Sequence, residues 1–386
     1  MTKKIFLGLA LMLVLIMPTT VLSARAESAP PAPGDSDKYN YNAGGSTFAF
    51  PIIDKWRVEY NKLYPGITLN YQPIGSGAGI KLFTTKKIDF AGTDAPLQSK
   101  EIAKAPKGTL TIPESIGAIV IAYNLPGVQK NGLLLTGDVI AKIYLGQIST
   151  WNDPQIVKLQ TDPTIAKALQ ADRNKIILVH RSDGSGTTFA FTSYLSQVSS
   201  DWSGRIGHST SVPWPSGMGG PGNAGVAAIV KKVPESMGYI ELAYAKTNKL
   251  ASNIPMTYAY VQNHDKTAFL DATVDTTAAA ASGAAPLLPS ADGVWSTVSI
   301  NNAPGPNAYP IATFTYLLVN PNLEQLKGMD KEKAQDLVHM LYWFVTDGQK
   351  YSTKLLYVPL PSTVQEIDKK GISEIKFNGQ QLWSYP

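Results

Sequence analysis

Three short segments combine glycine with hydroxyl side chains in a way that suits anion chemistry. They are Gly44-Gly45-Ser46-Thr47, Gly75-Ser76-Gly77-Ala78-Gly79 and Arg181-Ser182-Asp183-Gly184-Ser185-Gly186-Thr187. Each follows a predicted strand or turn and opens a predicted helix. Glycine lets the backbone come close to a ligand and take a positive φ. A helix start offers unpaired N–H donors and a partial positive charge. Together these make an anion site. Spacing alone fits ordinary loop turns equally well.

Two charged residues at predicted strand ends narrow the chemistry. Arg181 offers a planar guanidinium fork to an oxyanion. Asp94 is the more informative of the pair, because a carboxylate repels an anion unless that anion carries a proton it can accept. Hydrogenphosphate carries such a proton at neutral pH, and sulfate does not. A buried carboxylate facing sulfate is left desolvated and unpaired, which is unfavourable. Sites built to pair one specific ligand hydrogen discriminate by about 10⁴–10⁵. A helix cap or a plain loop residue is the other reading of Asp94.

Other patterns fail on inspection. Gly217-Met218-Gly219-Gly220-Pro221-Gly222 spells the dinucleotide pattern G-x-G-x-x-G, but Pro213-Trp214-Pro215 stands where a strand should precede it. The run Gly75 to Lys81 has the wrong spacing for a P-loop, with Leu82 where Ser or Thr belongs. Neither Ser76 nor Ser185 sits in a G-x-S-x-G elbow. The four histidines, His180, His208, His264 and His339, are scattered without H-x-x-x-H spacing. The chain has no cysteine, which excludes disulfides, thiolate metal sites, a Cys nucleophile and a lipid-modified cysteine. A phosphatase or hydrolase using Ser185 or Ser76 lacks a paired base and a metal site. The reading is of a binding protein and not an enzyme, with no cofactor and no metal.

The elements that must position these residues follow an alternating pattern. Pro51 suits the first turn of a helix, and Ile52, Trp56, Tyr60 and Leu63 recur at helical spacing. Ile67, Leu69 and Tyr71 alternate as in a strand. A short helix is predicted around Ile80 to Phe83, and a short strand over Ile88-Asp89-Phe90-Ala91. Ile116 to Ala122 is an apolar run that fits a strand buried on both faces. Further helices are predicted over Val139–Tyr144, Phe189–Leu195 and Lys331–Phe344, and further strands over Ile176–Val179, Gly238–Ile240 and Pro310–Val319. Residues 265–305 are less regular and rich in Ala, Ser and Pro. The alternation argues for α/β layers, and the chain of 386 residues suits two domains.

The N-terminus reads as a Sec-type signal peptide over residues 1–26. Lys3 and Lys4 precede an apolar run from Ile5 to Met17, and Ala24-Arg25-Ala26 is a small-x-small cleavage site. The run falls short of the ~20 residues a membrane span needs. A flexible, Pro-rich leader is expected over residues 27–38, with the fold beginning near Tyr39. The whole chain has 34 basic and 29 acidic residues; cleavage removes Lys3, Lys4 and Arg25, leaving 31 against 29, or +2. That balance gives no reason to expect a nucleic acid or an anionic lipid as partner.

At its three turns the sequence closely resembles the periplasmic phosphate-binding proteins that serve high-affinity phosphate ABC transporters. The matching segments are A-G-G-S-T-F at 43–48, I-G-S-G-A-G-I at 74–80, D-F-A-G-T-D-A-P-L at 89–97, Y-L-G-Q-I-S-T-W-N-D at 144–153, R-S-D-G-S-G-T-T-F at 181–189 and W-P-S-G-M-G-G-P-G-N at 214–223. The resemblance covers the chain from about Tyr39 and is weakest over 265–305. It departs from the family in its first motif, where Ala43-Gly44-Gly45 stands for the usual G-A-G.

The resemblance implies a two-lobed periplasmic binding protein fold, type II-like, with the ligand cleft between lobes joined by two crossover strands. Lobe one would combine residues 39–113 with 300–386, and lobe two would be 114–299. Thr47 and Phe48 would give backbone N–H groups, and Thr47 also its hydroxyl. Ser76 would give hydroxyl and N–H, and Asp94 would accept the phosphate proton. Arg181 would pair with phosphate oxygens, held by Asp183. Ser185, Gly186 and Thr187 would supply helix-start donors. The implied function is high-affinity phosphate binding in the periplasm and delivery to a membrane ABC permease, by a monomer that diffuses freely. The readings set against it are a carrier of another tetrahedral oxyanion and a secreted phosphate scavenger or adhesin.

Overall fold

The structure is a computed structural model and describes residues 29–385. The signal segment expected over residues 1–26 lies outside the described residues. The strands in chain order are β1 (Tyr39–Gly45), β2 (Ile67–Gln72), β3 (Phe90–Thr93), β4 (Leu110–Asn124), β5 (Leu134–Leu135), β6 (Ile177–Arg181), β7 (Met218–Gly220), β8 (Ser236–Glu241), β9 (Thr257–Tyr258), β10 (Tyr260–Gln262), β11 (Phe269–Leu270), β12 (Ala312–Val319), β13 (Lys376–Phe377) and β14 (Gln380–Gln381). A nine-stranded sheet runs in the order β2-β1-β3-β12-β4-β8-β6-β7, with β9 paired to β4 off that path.

One strand joins the two halves of this sheet. β4 is buried over its full length. Its first part, Leu110 to Ala118, pairs antiparallel with β12, and its second part, Ile119 to Asn124, pairs antiparallel with β8. The apolar run Ile116–Ala122 revealed only the middle of it, because Thr111, Pro113, Glu114 and Ser115 interrupt the hydrophobic pattern. The chain returns beside the crossing through residues 300–312, where Ile119 N donates to Ile311 O at 2.8 Å. On one side lie the parallel pairs β1–β2 and β1–β3. On the other lie the parallel pairs β6–β8 and β6–β7. This is the two-lobed arrangement.

Local chemistry sets the helices that flank the sheet. The helix Phe50–Leu63 has proline in its first turn and buries Ile52, Ile53, Trp56 and Tyr60. That face meets the helix Lys331–Val345, where Trp56 stacks on Phe344 with centroids 5.1 Å apart. Each large apolar side chain buried in this way contributes about 1.5–3 kcal/mol. β3 begins two residues later than the expected Ile88–Ala91 and so ends directly before Asp94. The leader expected to be flexible has no helix or strand over residues 29–38. Its residues 34–37 nevertheless form a turn, with Asp37 N donating to Gly34 O at 3.0 Å. That turn lies across a cavity from the Leu63–Ile67 loop. Among the described residues no helix is long and apolar enough to cross a membrane.

Candidate anion-binding site

The first turn leaves β1 at Gly45 and is held from its carbonyl side. Tyr71 OH donates to Ser46 O at 3.0 Å, Tyr244 OH to Thr47 O at 2.8 Å and Tyr357 OH to Phe48 O at 2.6 Å. In a trans peptide the following N–H points away from the carbonyl. The Thr47 and Phe48 N–H groups are therefore turned to the opposite side. Both residues are buried, and neither N–H has a hydrogen-bond partner among the described residues. Buried N–H groups are rarely left this way. The Ser46 hydroxyl accepts from Ala49 N at 2.9 Å and donates to Asp94 Oδ1.

The second turn brings Ser76 to the start of the helix Ser76–Thr84 through Gly75 at φ 88°. Ser76 Oγ accepts from Asp94 N at 3.3 Å. The turn also touches the third one: Gly77 N donates to Gly184 O at 2.9 Å. No side chain fits at Gly186, where a Cβ would stand 2.6 Å from both Asp94 Oδ2 and Ser76 Oγ. The starts of two helices from opposite halves of the sheet thus converge on Asp94.

Asp94 is buried, with Oδ1 3.3 Å from Thr315 Oγ1 and Oδ2 3.3 Å from Thr187 Oγ1. Burial pushes its carboxyl up to about 6, against the pull of the Ser46 hydrogen bond and the Arg181 charge. The ionised form therefore predominates at neutral pH. Arg181 donates from Nε to Asp183 Oδ1 at 2.8 Å, from a terminal nitrogen to Asp183 Oδ2, and from its other terminal nitrogen to Thr187 Oγ1 at 3.2 Å. Burial pushes the Asp183 carboxyl up, but the hydrogen bonds and charge of Arg181 outweigh it and hold the group below its usual range. Asp183 also accepts from Gly222 N at 3.0 Å.

The helix Gly186–Val198 starts at this point. The Ser185 hydroxyl caps it by accepting from Thr188 N at 3.0 Å, and Ser185 N donates to Thr210 O at 2.8 Å. Ser185 therefore has only its hydroxyl hydrogen to offer a ligand. The first N–H groups of the helix, on Gly186 and Thr187, have no hydrogen-bond partner among the described residues.

The structure brings together Thr47, Phe48, Ser76, Asp94, Arg181, Asp183, Ser185, Gly186 and Thr187, the whole set singled out in the sequence. It adds residues that sequence reasoning missed. Asn223 Nδ2 donates to Thr47 Oγ1 at 3.0 Å and to Thr187 Oγ1 at 3.1 Å, and its Oδ1 accepts from Glu241 N at 3.0 Å. Asn223 closes the glycine run that spells the dinucleotide pattern and matches the family segment at 214–223, neither of which gives it a role. In the structure β7 lies inside that run, and the helix Gly222–Lys232 follows at once. Ser46 was legible as part of the first turn but not as the partner of Asp94. Thr315 lies inside a strand with no turn chemistry, and nothing in the local sequence marks it.

These groups present clustered hydrogen-bond donors, a guanidinium paired with Asp183, and the Asp94 carboxylate as an acceptor, closed between two halves of a sheet. Fold and site define a two-lobed solute-binding protein. The PBP superfamily domain matches residues 30–338. The chain belongs to the PstS phosphate-binding protein family. It is 38% identical over 365 residues to the phosphate-binding protein PstS of Xylella fastidiosa, covering 93% of this chain and 92% of that one. It is 36% identical to the PstS of Pasteurella multocida, covering 99% and 100%. The fold is similar to that of a high-affinity periplasmic phosphate-binding protein solved with phosphate, at TM-score 0.66 and 18% identity over 87% of this chain and 98% of that one. It is also similar to a phosphate-binding protein from Stenotrophomonas maltophilia, at TM-score 0.65 and 18% identity over 86% and 93%.

Proposed function

We propose that this protein binds inorganic phosphate in the periplasm and delivers it to a membrane ABC permease for import. The observation that carries this reading is Asp94. It is a buried, ionised carboxylate set among donors from both halves of the sheet. An anion is tolerated there when it brings a hydrogen for Asp94 to accept, as hydrogenphosphate does.

In this reading Thr47, Phe48, Ser76, Gly186 and Thr187 give N–H or hydroxyl donors, Ser185 a hydroxyl, and Arg181 a guanidinium fixed by Asp183. Lobe one comprises residues 39–113 and 300–386, and lobe two residues 114–299. Thr47, Ser76 and Asp94 then face the Arg181 turn across the cleft. A ligand held from both sides favours the closed state, because it adds contacts that only this state makes. The closed protein, acting as a monomer, is the form that docks on the permease. The role is binding and release rather than turnover.

The test is calorimetric titration of residues 27–386, first stripped of bound ligand by partial unfolding and dialysis. Tight one-to-one phosphate binding with no response to sulfate is the expected result. Binding of both anions would make the protein a general oxyanion carrier, and binding of neither would overturn the reading.

A further inference from the structure

β4 and β12 do not stay in step. Thr315 pairs with Ser115, but Tyr316 pairs with Pro113, so Glu114 is an extra residue in the ladder. A bulge of this kind re-aims a side chain. Here the bulged backbone is held by Gln349, whose Nε2 donates to Glu114 O at 3.0 Å. The Glu114 side chain is buried, with Oε1 3.1 Å from Thr315 Oγ1. The same Thr315 hydroxyl is 3.3 Å from Asp94 Oδ1 and, as its longest contact, 3.4 Å from Thr93 O. Glu114 Oε2 has no hydrogen-bond partner among the described residues.

A hydroxyl has one hydrogen to give. With carboxylates on both sides, Thr315 can serve one, and the other then faces an oxygen lone pair in a buried setting. Among the described residues no ion pair brings a cation to Glu114. The titratable groups whose charges act on or are acted on by Glu114 are Asp94, Tyr71 and Tyr357, none of them a cation. A proton on Glu114 Oε1 resolves the conflict. Glu114 then donates to Thr315, Thr315 donates to Asp94 Oδ1, and each hydrogen has one acceptor.

We propose, on the phosphate-binding reading above, that Glu114 is a positioning residue for Asp94: protonated Glu114 turns the Thr315 hydroxyl toward Asp94 Oδ1 and keeps Oδ2 as the acceptor for the ligand's hydrogen. The chemistry around Glu114 supports this. Burial pushes its carboxyl up to about 8 and the charge of Asp94 adds to that, while the Thr315 hydrogen bond opposes it. Asp94 is ionised above about 6. One carboxyl neutral and the other charged is therefore the state of the pair around neutral pH. A bound phosphate adds negative charge nearby and favours neutral Glu114 further. Above about pH 8, phosphate must bind against an ionised Glu114 or bring in a proton, and its affinity falls.

The experiment is calorimetric titration with inorganic phosphate from about pH 7.5 to about 9.5, on the wild type, Glu114→Gln and Thr315→Val. The wild type is expected to lose up to about tenfold in affinity per pH unit above about 8. The Gln amide can donate to Thr315 at every pH. Glu114→Gln is therefore expected to match the wild type near pH 7.5 and to stay flat above it. Thr315→Val, which removes the bridge, is expected to bind more weakly across the range. A wild type that binds phosphate with a flat profile overturns the relay alone. So does Glu114→Gln retaining the alkaline loss, or failing to bind at neutral pH while melting like the wild type. A wild type that binds no phosphate at about pH 7.5 overturns the phosphate reading and the relay with it.

Discussion

Asn223 Nδ2 stands 3.0 Å from Thr47 Oγ1, across 176 residues of chain. The same amide reaches Thr187, and its carbonyl is fixed by Glu241 N, so its orientation is set by the backbone. One side chain thus ties the end of the first turn to the start of the helix after Arg181. Truncation in Asn223→Ala frees both hydroxyls and strands a buried N–H. Losses of this kind cost about 1–3 kcal/mol. Phosphate affinity is expected to fall by roughly 5- to 150-fold, read by calorimetry, with the ligand-free protein still folded by circular dichroism.

The charge on Asp94 predicts a pH-dependent selectivity. Above about 6 the ionised carboxylate can only accept, so sulfate is expected to be refused; below it the protonated group can donate to any oxyanion. The ratio of phosphate to sulfate affinity is expected to narrow as pH falls from about 7.5 to about 5. Asp94→Asn, which carries a donor at every pH, is expected to show a narrow ratio throughout. A variant as selective as the wild type at neutral pH would remove Asp94 from the account of specificity.

How much of this was legible in the sequence depended on how local each signal was. The three glycine turns were legible because turn chemistry and helix starts are written in consecutive residues, Arg181 and Asp94 stood at predicted strand ends, and Asp183 followed from the resemblance. The helix Phe50–Leu63 was legible from its period and from Pro51. Asn223, Thr315 and Glu114 were not, since each acts through partners far away in the chain. β4 was legible only in part, because its polar residues are buried by pairing on both sides. Periodicity cannot tell a buried Glu at a bulge from an exposed one.

Arg181 is held in a fork by Asp183 on one edge and meets Thr187 on the other. In the proposed site, removing it would take away charge-assisted hydrogen bonds to phosphate, each on the scale of about 1.5–3 kcal/mol. Arg181→Ala is expected to weaken phosphate binding by at least roughly tenfold. Arg181→Lys keeps the charge but not the planar fork, so it is expected to recover only part of the loss. Equal affinity for Lys and Arg variants would show that the charge alone matters.

Gly186 tests closure separately from chemistry. A methyl group there would meet Asp94 Oδ2 and Ser76 Oγ, each at 2.6 Å, on the far side of the cleft. Overpacking costs about 1–3 kcal/mol. The atoms nearest that methyl all belong to Asp94 and Ser76, across the cleft, so Gly186→Ala is expected to melt near the wild type. Its phosphate affinity is expected to drop by roughly 5- to 150-fold, and scattering with phosphate is expected to show a more open particle. A variant that closes and binds normally would mean the two helix starts need not approach this closely.

Glu241 gives a prediction about stability rather than binding. It ends β8, is fully buried, and accepts from Ala243 N at 2.8 Å through Oε1, while Oε2 has no hydrogen-bond partner among the described residues. Burial pushes its carboxyl up to about 8; the helix-start N–H groups and Tyr357 oppose this, and the Asp94 charge adds to it. The ordinary value for the unfolded chain is 4.5. Between those values the folded state holds a proton that the unfolded state has released. The stability from this group is complete below about 4.5 and is lost as pH rises through about 8, at about 1.4 kcal/mol per pH unit. Asp183 has the opposite sign, but it titrates below its ordinary range and so outside this window; His339, held down to about 4 by burial, also has the opposite sign and offsets part of the loss up to about pH 6.5, while Glu114 and Asp336, pushed up by burial, add to the loss. Denaturant melts of the ligand-free protein are expected to show lower stability at about pH 7.5 than at about pH 5. Glu241→Gln keeps the contact with Ala243 and removes the titration. Its melts are expected to lose less stability over the same interval, by up to about 1.4 kcal/mol per pH unit. An unchanged slope would mean that Glu241 is ionised in the folded protein and paired with a group that the hydrogen-bond pattern around it does not include.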